Sequence, residues 1–425
     1  MRDLRQNSAD LLGKLMPLLD RVSNNKYIKA ISNAMMGTLS VSIIGSIAVL
    51  LISFPMDGVQ NFINMLGIVN LLNATFRLTT GLLALYIVFL VAKNIVKEFL
   101  PSDDGSMAGL IGIFSFLILT PLGQLDDGGF GIPFTWLGSE GVFSALIIGV
   151  LTGRIYVFVK DKGWTVKMPP GVPPMVIKVF ESLIPSILIA LIFFIVSRLF
   201  EGTAYGSMHA TIYNLIQIPL TGIGGSFSAM LLVAILAQTL WFFGIHGTNI
   251  IRPLVNPIWL AMDIANLEAF MAGTELPHIM GGAFFSTVTF GATTLGLVVN
   301  MLMSKSKRYK DFGKMTFIPA LFGVTEPIVF GMPLVLNFKL AIPFIFNNAI
   351  ILTIAYALTA IGIVPRFPGV SAIFGLPLGF AAAIQGSAMI VIMHVALQLL
   401  SILLWRPFFK LQEKEQLQAE LESVE

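Results

Sequence analysis

The feature that most constrains this chain is the recurrence of long apolar runs. Residues 31–55, 80–96, 182–200 and 338–364 are each nearly free of charge. About 20 apolar residues cross the hydrocarbon core of a bilayer as helix, so several crossings follow and a single anchor is excluded. Composition agrees: 56% of residues are hydrophobic and 12% charged, against roughly a quarter charged in a soluble domain. Lipid offers no partners to backbone amides, and runs of this continuity select helices over short alternating strands. The fold class is an all-α polytopic membrane protein.

Spans are expected near 30–55, 75–97, 106–122, 137–158, 180–200, 222–243, 280–303, 338–362 and 383–408. Lys and Arg accumulate on the cytoplasmic side, which places 1–29, 93–97, 154–178 and 304–314 inside. Segments 56–72, 123–136 and 201–221 have neither residue and are expected outside. Nine crossings would put Lys305, Lys307, Arg308, Lys310 and Lys314 on the wrong side. A further, broken crossing within 244–278 restores parity, giving about ten helices, re-entrant hairpins and both termini in the cytoplasm. The expected organisation is an amino-terminal segment 1–29, a first transmembrane half 30–165, a Pro-rich linker 166–179, a second half 180–410 and a solvated tail 411–425. Arg2, Arg5, Lys14, Arg21, Lys26 and Lys29 mark a basic head and not a cleavable signal.

Net charge is +3, but the cations lie between apolar runs and form no nucleic-acid motif, so they are topology signals. Cysteine is absent, which removes disulfides and thiol chemistry from this chain. No GxxxxGK[ST] run is present, and His209, His278 and His394 lack ligand spacing, so neither nucleotide hydrolysis, a metal nor a cofactor is expected. Gly149 with Gly153, and Gly105 with Gly109, have the spacing that permits close helix contact, although chance matches are common among 39 glycines.

Polar groups at membrane depth are costly and become functional candidates. One segment reads Trp241-Phe242-Phe243-Gly244-Ile245-His246-Gly247-Thr248-Asn249, where flanking glycines loosen the helix beside an imidazole and an amide. Another reads Phe322-Gly323-Val324-Thr325-Glu326-Pro327, with one carboxylate in an apolar stretch and a proline directly after it. Such a carboxylate, taken out of water, can accept a proton or anchor a hydroxyl. The structural alternatives are an ion-paired Glu326 and a satisfied core His246. Arg252 and Asn256 follow at helical spacing and can line the same cavity or reach the interface. Trp241 can stack on a sugar ring or belong to an interfacial belt.

At these two segments the chain resembles the membrane component, enzyme IIC, of the lactose/cellobiose-type sugar phosphotransferase system. The resemblance runs from the basic amino-terminal segment through Met168-Pro169-Pro170-Gly171-Val172-Pro173-Pro174, Gly244-Ile245-His246-Gly247 and Gly323-Val324-Thr325-Glu326-Pro327 to Arg406-Pro407-Phe408. It implies ten transmembrane helices, a homodimer formed largely by the first half, and a sugar site in the second half. It further implies that His246 and Glu326 hold a β-linked disaccharide of the cellobiose, diacetylchitobiose or lactose class near its 6-hydroxyl. Asn249, Thr325 and Trp241 complete the candidate set. A soluble IIB protein, charged by IIA upstream, carries a phosphocysteine to that hydroxyl, so catalysis belongs to this chain only together with IIB. The bacterial cell membrane is the expected location. The competing expectation is a proton-coupled sugar transporter in which Glu326 and His246 relay protons and no phosphate moves.

Overall fold

A computed structural model describes residues 24–52, 57–124, 129–290, 293–332, 334–371 and 376–422, together with Pro17 and Arg21. Arg2, Arg5 and Lys14 of the basic head therefore lie outside the described residues. The regular structure of the described part is helical, apart from a two-stranded antiparallel ribbon pairing Gly123–Gln124 with Phe130–Gly131.

Six helical stretches are long and apolar enough to cross a membrane: Lys26–Ile52, Val69–Phe99, Ser139–Asp161, Pro174–Glu201, Ala341–Ala360 and Ala388–Glu422. A seventh results if the broken pair Met208–Gly224 and Phe227–Phe242 counts as one span. The expectation of ten is corrected on three segments. Ser106–Leu119 has 14 residues, about 21 Å of helix against a core of about 30 Å. The run 280–303 forms two helices of 8 residues, Gly282–Thr289 and Leu295–Leu302, each far too short. The polar stretch expected to break within 244–278 is instead one continuous 26-residue helix, Gly247–Ala272, which absorbs Pro253 and Pro257. It is long, yet Arg252, Asp263 and Glu268 keep it from being an apolar span. Counting apolar letters could not see these interruptions, and the parity argument that rested on the count falls with it.

The chain divides into two compact units. The first is built on Asn70–Ile223 with Pro253–Ala265. Its core brings Leu83, Ile87, Val91 and Ile95 against Ile148, Tyr156 and Val157. Glycine permits that approach: a Cβ on Gly149 would lie 2.8 Å from the Val91 Cβ, and one on Gly153 2.7 Å from that of Ile95. At one end of this unit Asp103 and Glu181 share Lys160, at 2.9 and 3.0 Å.

The second unit is built on Gly224–Arg252 and Asn266–Glu425. Trp241, Leu297, Val298, Phe344, Trp405 and Phe409 form its core. Of residues 411–425, expected as a solvated tail, those described, 411–422, continue the helix Ala388–Glu422 and lie against the basic segment after Ser304. Glu413 accepts from the Ser304 hydroxyl at 2.6 Å and the Lys305 amide at 2.7 Å. Glu420 accepts from the Ser306 hydroxyl at 2.5 Å, and Glu415 pairs with Lys339. Ser306 itself caps the helix Lys307–Leu321 by accepting from the Tyr309 amide, satisfying one of its free donors. The acidic residues of the tail thus have specific partners that a polar, helix-forming composition did not identify.

Candidate functional site

His246 sits where one helix stops and the next begins. Phe227–Phe242 ends with Gly244 in the left-handed region at φ 82°, a turn that suits glycine. Gly247 then opens the following helix against the Ala237 carbonyl, so closely that a Cβ there would collide with it. Between these glycines His246 acts as the N-cap: its Nδ1 accepts from the Asn249 amide at 3.3 Å. A neutral ring that accepts at Nδ1 carries its proton on Nε2. That Nε2 faces Glu326 Oε1 at 3.8 Å.

Glu326 is the first residue of the short helix Glu326–Gly331, with Pro327 behind it. Thr325 precedes it, and its carbonyl accepts from the Ile328 and Val329 amides at 3.0 Å each. Gly323 has φ 75°, and a Cβ on it would lie 2.7 Å from the Phe290 ring. The backbone leading to Glu326 is therefore set both by a left-handed turn and by an aromatic floor.

The Glu326 side chain is 49% exposed and that of His246 38%. Their 3.8 Å separation is too long for a direct hydrogen bond. Among the described residues no hydrogen-bond donor reaches the Glu326 carboxylate. The arrangement offers a donor, Nε2–H, beside an acceptor, Oε1, with both reachable from outside: a hydroxyl can accept from one and donate to the other.

Trp241 is buried behind this pair, its ring centroid 4.3 Å from that of His246 at 46° and 6.1 Å from that of Phe330. It backs the imidazole. Asn249 contributes its amide to the His246 ring and keeps its side chain exposed. All five candidates from sequence lie in the second unit, and the contacts above join Trp241, His246, Asn249 and Glu326 directly. Arg252 lies one turn beyond Asn249 on the same helix, and Asn256 a turn further.

The other histidines stand apart. His209, in the first unit, is fully buried against Phe116 and Trp136, with Nε2 3.0 Å from the Thr120 hydroxyl. His278 has its backbone held by Asn266, and His394 is buried in the last long helix. Among the described residues no group of three metal-type ligands forms.

Sequence reasoning passed over Gln238, Thr293 and Asn348. The Thr293 hydroxyl lies 3.3 Å from Gln238 Nε2 and 3.0 Å from Asn348 Nδ2, in the core of the same unit. The signal was available, since Gln238 stands in Leu-Ala-Gln-Thr-Leu-Trp and Asn348 in Phe-Asn-Asn-Ala-Ile. Of the uncharged amides at depth, Asn249 and Asn256 were weighed alongside the ionisable groups, while those of Gln238 and Asn348 were not.

Comparison with known proteins places the fold and this pair in a family. Residues 32–347 match the family described as the phosphotransferase system, EIIC. The oligo-beta-mannoside-specific EIIC component of Bacillus subtilis (strain 168) is 32% identical over 422 residues, covering 96% of this chain and 95% of that one. The cellobiose-specific EIIC component of Geobacillus stearothermophilus is 28% identical over 95% of this chain and 93% of its own length. Among solved structures, the transporter ChbC, the IIC component of an N,N'-diacetylchitobiose-specific phosphotransferase system, superposes with a TM-score of 0.88 at 29% identity. That match covers 96% of this chain and 99% of ChbC. Similarity of this extent, on a multi-pass helical framework suited to a bacterial inner membrane, replaces the proton-coupled reading: the chain belongs to the EIIC family, the sugar-permease membrane components that work with IIA and IIB in the phosphotransferase system.

Proposed function

We propose that this EIIC carries a β-linked disaccharide across the membrane and presents its 6-hydroxyl, at the His246–Glu326 pair, to phosphorylated IIB. The carrying observation is the 3.8 Å separation of His246 Nε2 and Glu326 Oε1, a donor and an acceptor close enough for one hydroxyl to bridge both from the side. The sugar class draws its support from the relatives, whose names specify oligo-β-mannosides, cellobiose and diacetylchitobiose.

In this reading His246 donates from Nε2–H to the 6-hydroxyl oxygen and orients one of its lone pairs toward phosphorus. Glu326 accepts the hydroxyl proton as the O–P bond forms and the S–P bond of the IIB phosphocysteine breaks, leaving the thiolate on IIB. Phosphoryl transfer depends mainly on alignment and charge placement, which a fixed imidazole and an accessible carboxylate supply. Trp241 holds the imidazole, while Asn249 and Thr325 border the sugar. The charged product binds poorly to the site it leaves, and uptake is one-way.

The organisation expected from sequence belongs to the same proposal: a first half, 30–165, that supports a homodimer, a linker at 166–179, and a second half, 180–410, that holds the sugar. The test uses membrane vesicles containing the full chain. Sugar phosphate formed only when phosphorylated IIB is supplied, with β-linked disaccharides preferred over their α-linked counterparts, is the expected result. Accumulation of unmodified sugar that a protonophore abolishes would overturn it.

A further inference from the structure

His246 and Glu326 lie 80 positions apart, yet the contacts that hold them reach two residues of one short stretch of sequence, Phe290 and Thr293, which lie between the helices Gly282–Thr289 and Leu295–Leu302. On the Glu326 side, the Phe290 ring is the surface against which Gly323 turns. The Phe290 carbonyl, freed because its helix ends there, accepts from Gln398 Nε2 at 2.8 Å. On the His246 side, the Thr293 hydroxyl meets Gln238, one turn before Trp241, and Asn348. Ala237, next to Gln238, supplies the carbonyl that seats Gly247 beside His246.

Packing alone does not account for this junction. Gln238 Oε1, Gln398 Oε1 and the Thr294 hydroxyl are buried without a hydrogen-bond partner among the described residues. Buried polar groups are normally satisfied, and an apolar side chain at any of the three would avoid the desolvation penalty. Gln238 and Gln398 instead leave one amide oxygen unmet while donating from the other end to the break. Their donated bonds are what the arrangement preserves.

We propose that Thr293 is a positioning residue for the phosphoryl-transfer site. Its hydroxyl, shared by Gln238 and Asn348, holds the end of Phe227–Phe242, where the Ala237 carbonyl seats Gly247, and so sets the alignment of His246 with Glu326. This inference rests on the reading of His246 and Glu326 given above. In this reading Thr293 acts through Gln238 and Ala237 and not on the sugar itself, so it governs alignment in the transition state more than sugar affinity.

The experiment compares Thr293→Val, Thr293→Ser, Gln238→Met and Glu326→Gln with the unaltered full chain in vesicles supplied with phosphorylated IIB. Turnover is normalised to folded protein and paired with direct sugar binding. For Thr293→Val, kcat is expected to fall about 10- to 100-fold, the scale of a sub-ångström to 1 Å misalignment, with KM and sugar Kd changed less than about threefold. Thr293→Ser, which keeps the hydroxyl, restores kcat. Gln238→Met moves in the same direction as Thr293→Val and decides the matter alone if the valine variant does not fold. Unchanged kcat per folded molecule in Thr293→Val or Gln238→Met overturns the proposal, as does a serine variant that folds and binds sugar but is not rescued. The Glu326→Gln arm separates the two levels: normal turnover there removes the site reading itself, whereas an inactive Glu326→Gln beside a normal Thr293→Val removes only the positioning role.

Discussion

Two carboxylates, one in each unit, show how differently the same group is used. Asp103 has an 8% exposed side chain and is saturated: Lys160 at 2.9 Å on one oxygen, the Gly105 amide at 2.9 Å on the other, and the Tyr156 hydroxyl at 3.5 Å. Glu326 is half exposed, with the His246 Nε2 at 3.8 Å as its neighbour. A carboxylate with protein donors on both oxygens holds helices together. One left with acceptor capacity beside an oriented donor is prepared for something the protein does not itself contain.

The contrast is broken most directly at Glu326. Glu326→Gln keeps the shape and removes the proton acceptor, so IIB-dependent sugar phosphorylation is expected to fall by about 10²- to 10⁴-fold, the usual worth of a positioned general base. Because Glu326 makes no hydrogen bond that the fold depends on, thermal stability in detergent stays unchanged. Turnover near that of the unaltered protein would place Glu326 on the structural side of the comparison.

Asp103 should show the reverse pattern. Asp103→Asn removes the charge that Lys160 faces in a site where Lys160 is 14% exposed, and Glu181 remains as a second partner. A loss of about 2 kcal/mol in stability follows, within the range for hydrogen bonds to charged groups, with phosphorylation per folded molecule unaffected. Thermal unfolding in parallel with turnover tests both halves of the claim. A variant as stable as the parent would mean that the Lys160 cluster is ornamental.

These two sites also show where the sequence was informative. Glu326 was visible as a lone carboxylate in Gly-Val-Thr-Glu-Pro, and His246 through its flanking glycines, because both violate the apolar context around them. The positive φ at Gly244 and Gly323 agrees with the turns those glycines suggested. What could not be read was how apolar letters divide into helices. Residues 280–303 scan as one span, but the helix that ends before Phe290 has its free carbonyl met by Gln398, 108 positions away, a partner no local pattern announces. Charge parity misled in the opposite direction: it asked for a broken crossing within 244–278, whereas the chain carries Pro253 and Pro257 inside a continuous helix. The exposure of Glu326 depends on which helix ends surround it, a property of the folded chain and not of its ten nearest residues.

His246 sharpens the comparison, since it is proposed to orient the hydroxyl without taking its proton. His246→Ala is expected to weaken sugar binding about tenfold, equivalent to one hydrogen bond of about 1.4 kcal/mol. It also removes the cap on Gly247–Ala272, so a modest loss of stability accompanies it. Restoration of affinity by His246→Gln, whose amide can donate from a similar position, would support the donor role. Equal sugar affinity in His246→Ala would remove it.

The smallest effect lies beside Asp103, at its neighbour Asp104. The Ser106 amide and then the Lys178 ammonium, at 3.2 Å, hold the Asp104 carboxyl below its ordinary value of 3.8. A carboxyl depressed in the folded state contributes stability that is complete above the unfolded value and disappears as pH falls through the folded one. The contribution is therefore constant near neutrality and lost in acid below 3.8. Asp104 is 56% exposed and Lys178 42%, so water and salt screen the pair, and Asp104→Asn is expected to cost under about 1 kcal/mol at pH 7. The difference between variant and parent should shrink further in strong acid and in high salt, whereas the Asp103→Asn difference, shielded from solvent, should persist in salt. If both substitutions respond to salt alike, burial is not what distinguishes the saturated carboxylate from its exposed neighbour, and the argument from exposure at Glu326 loses its reference.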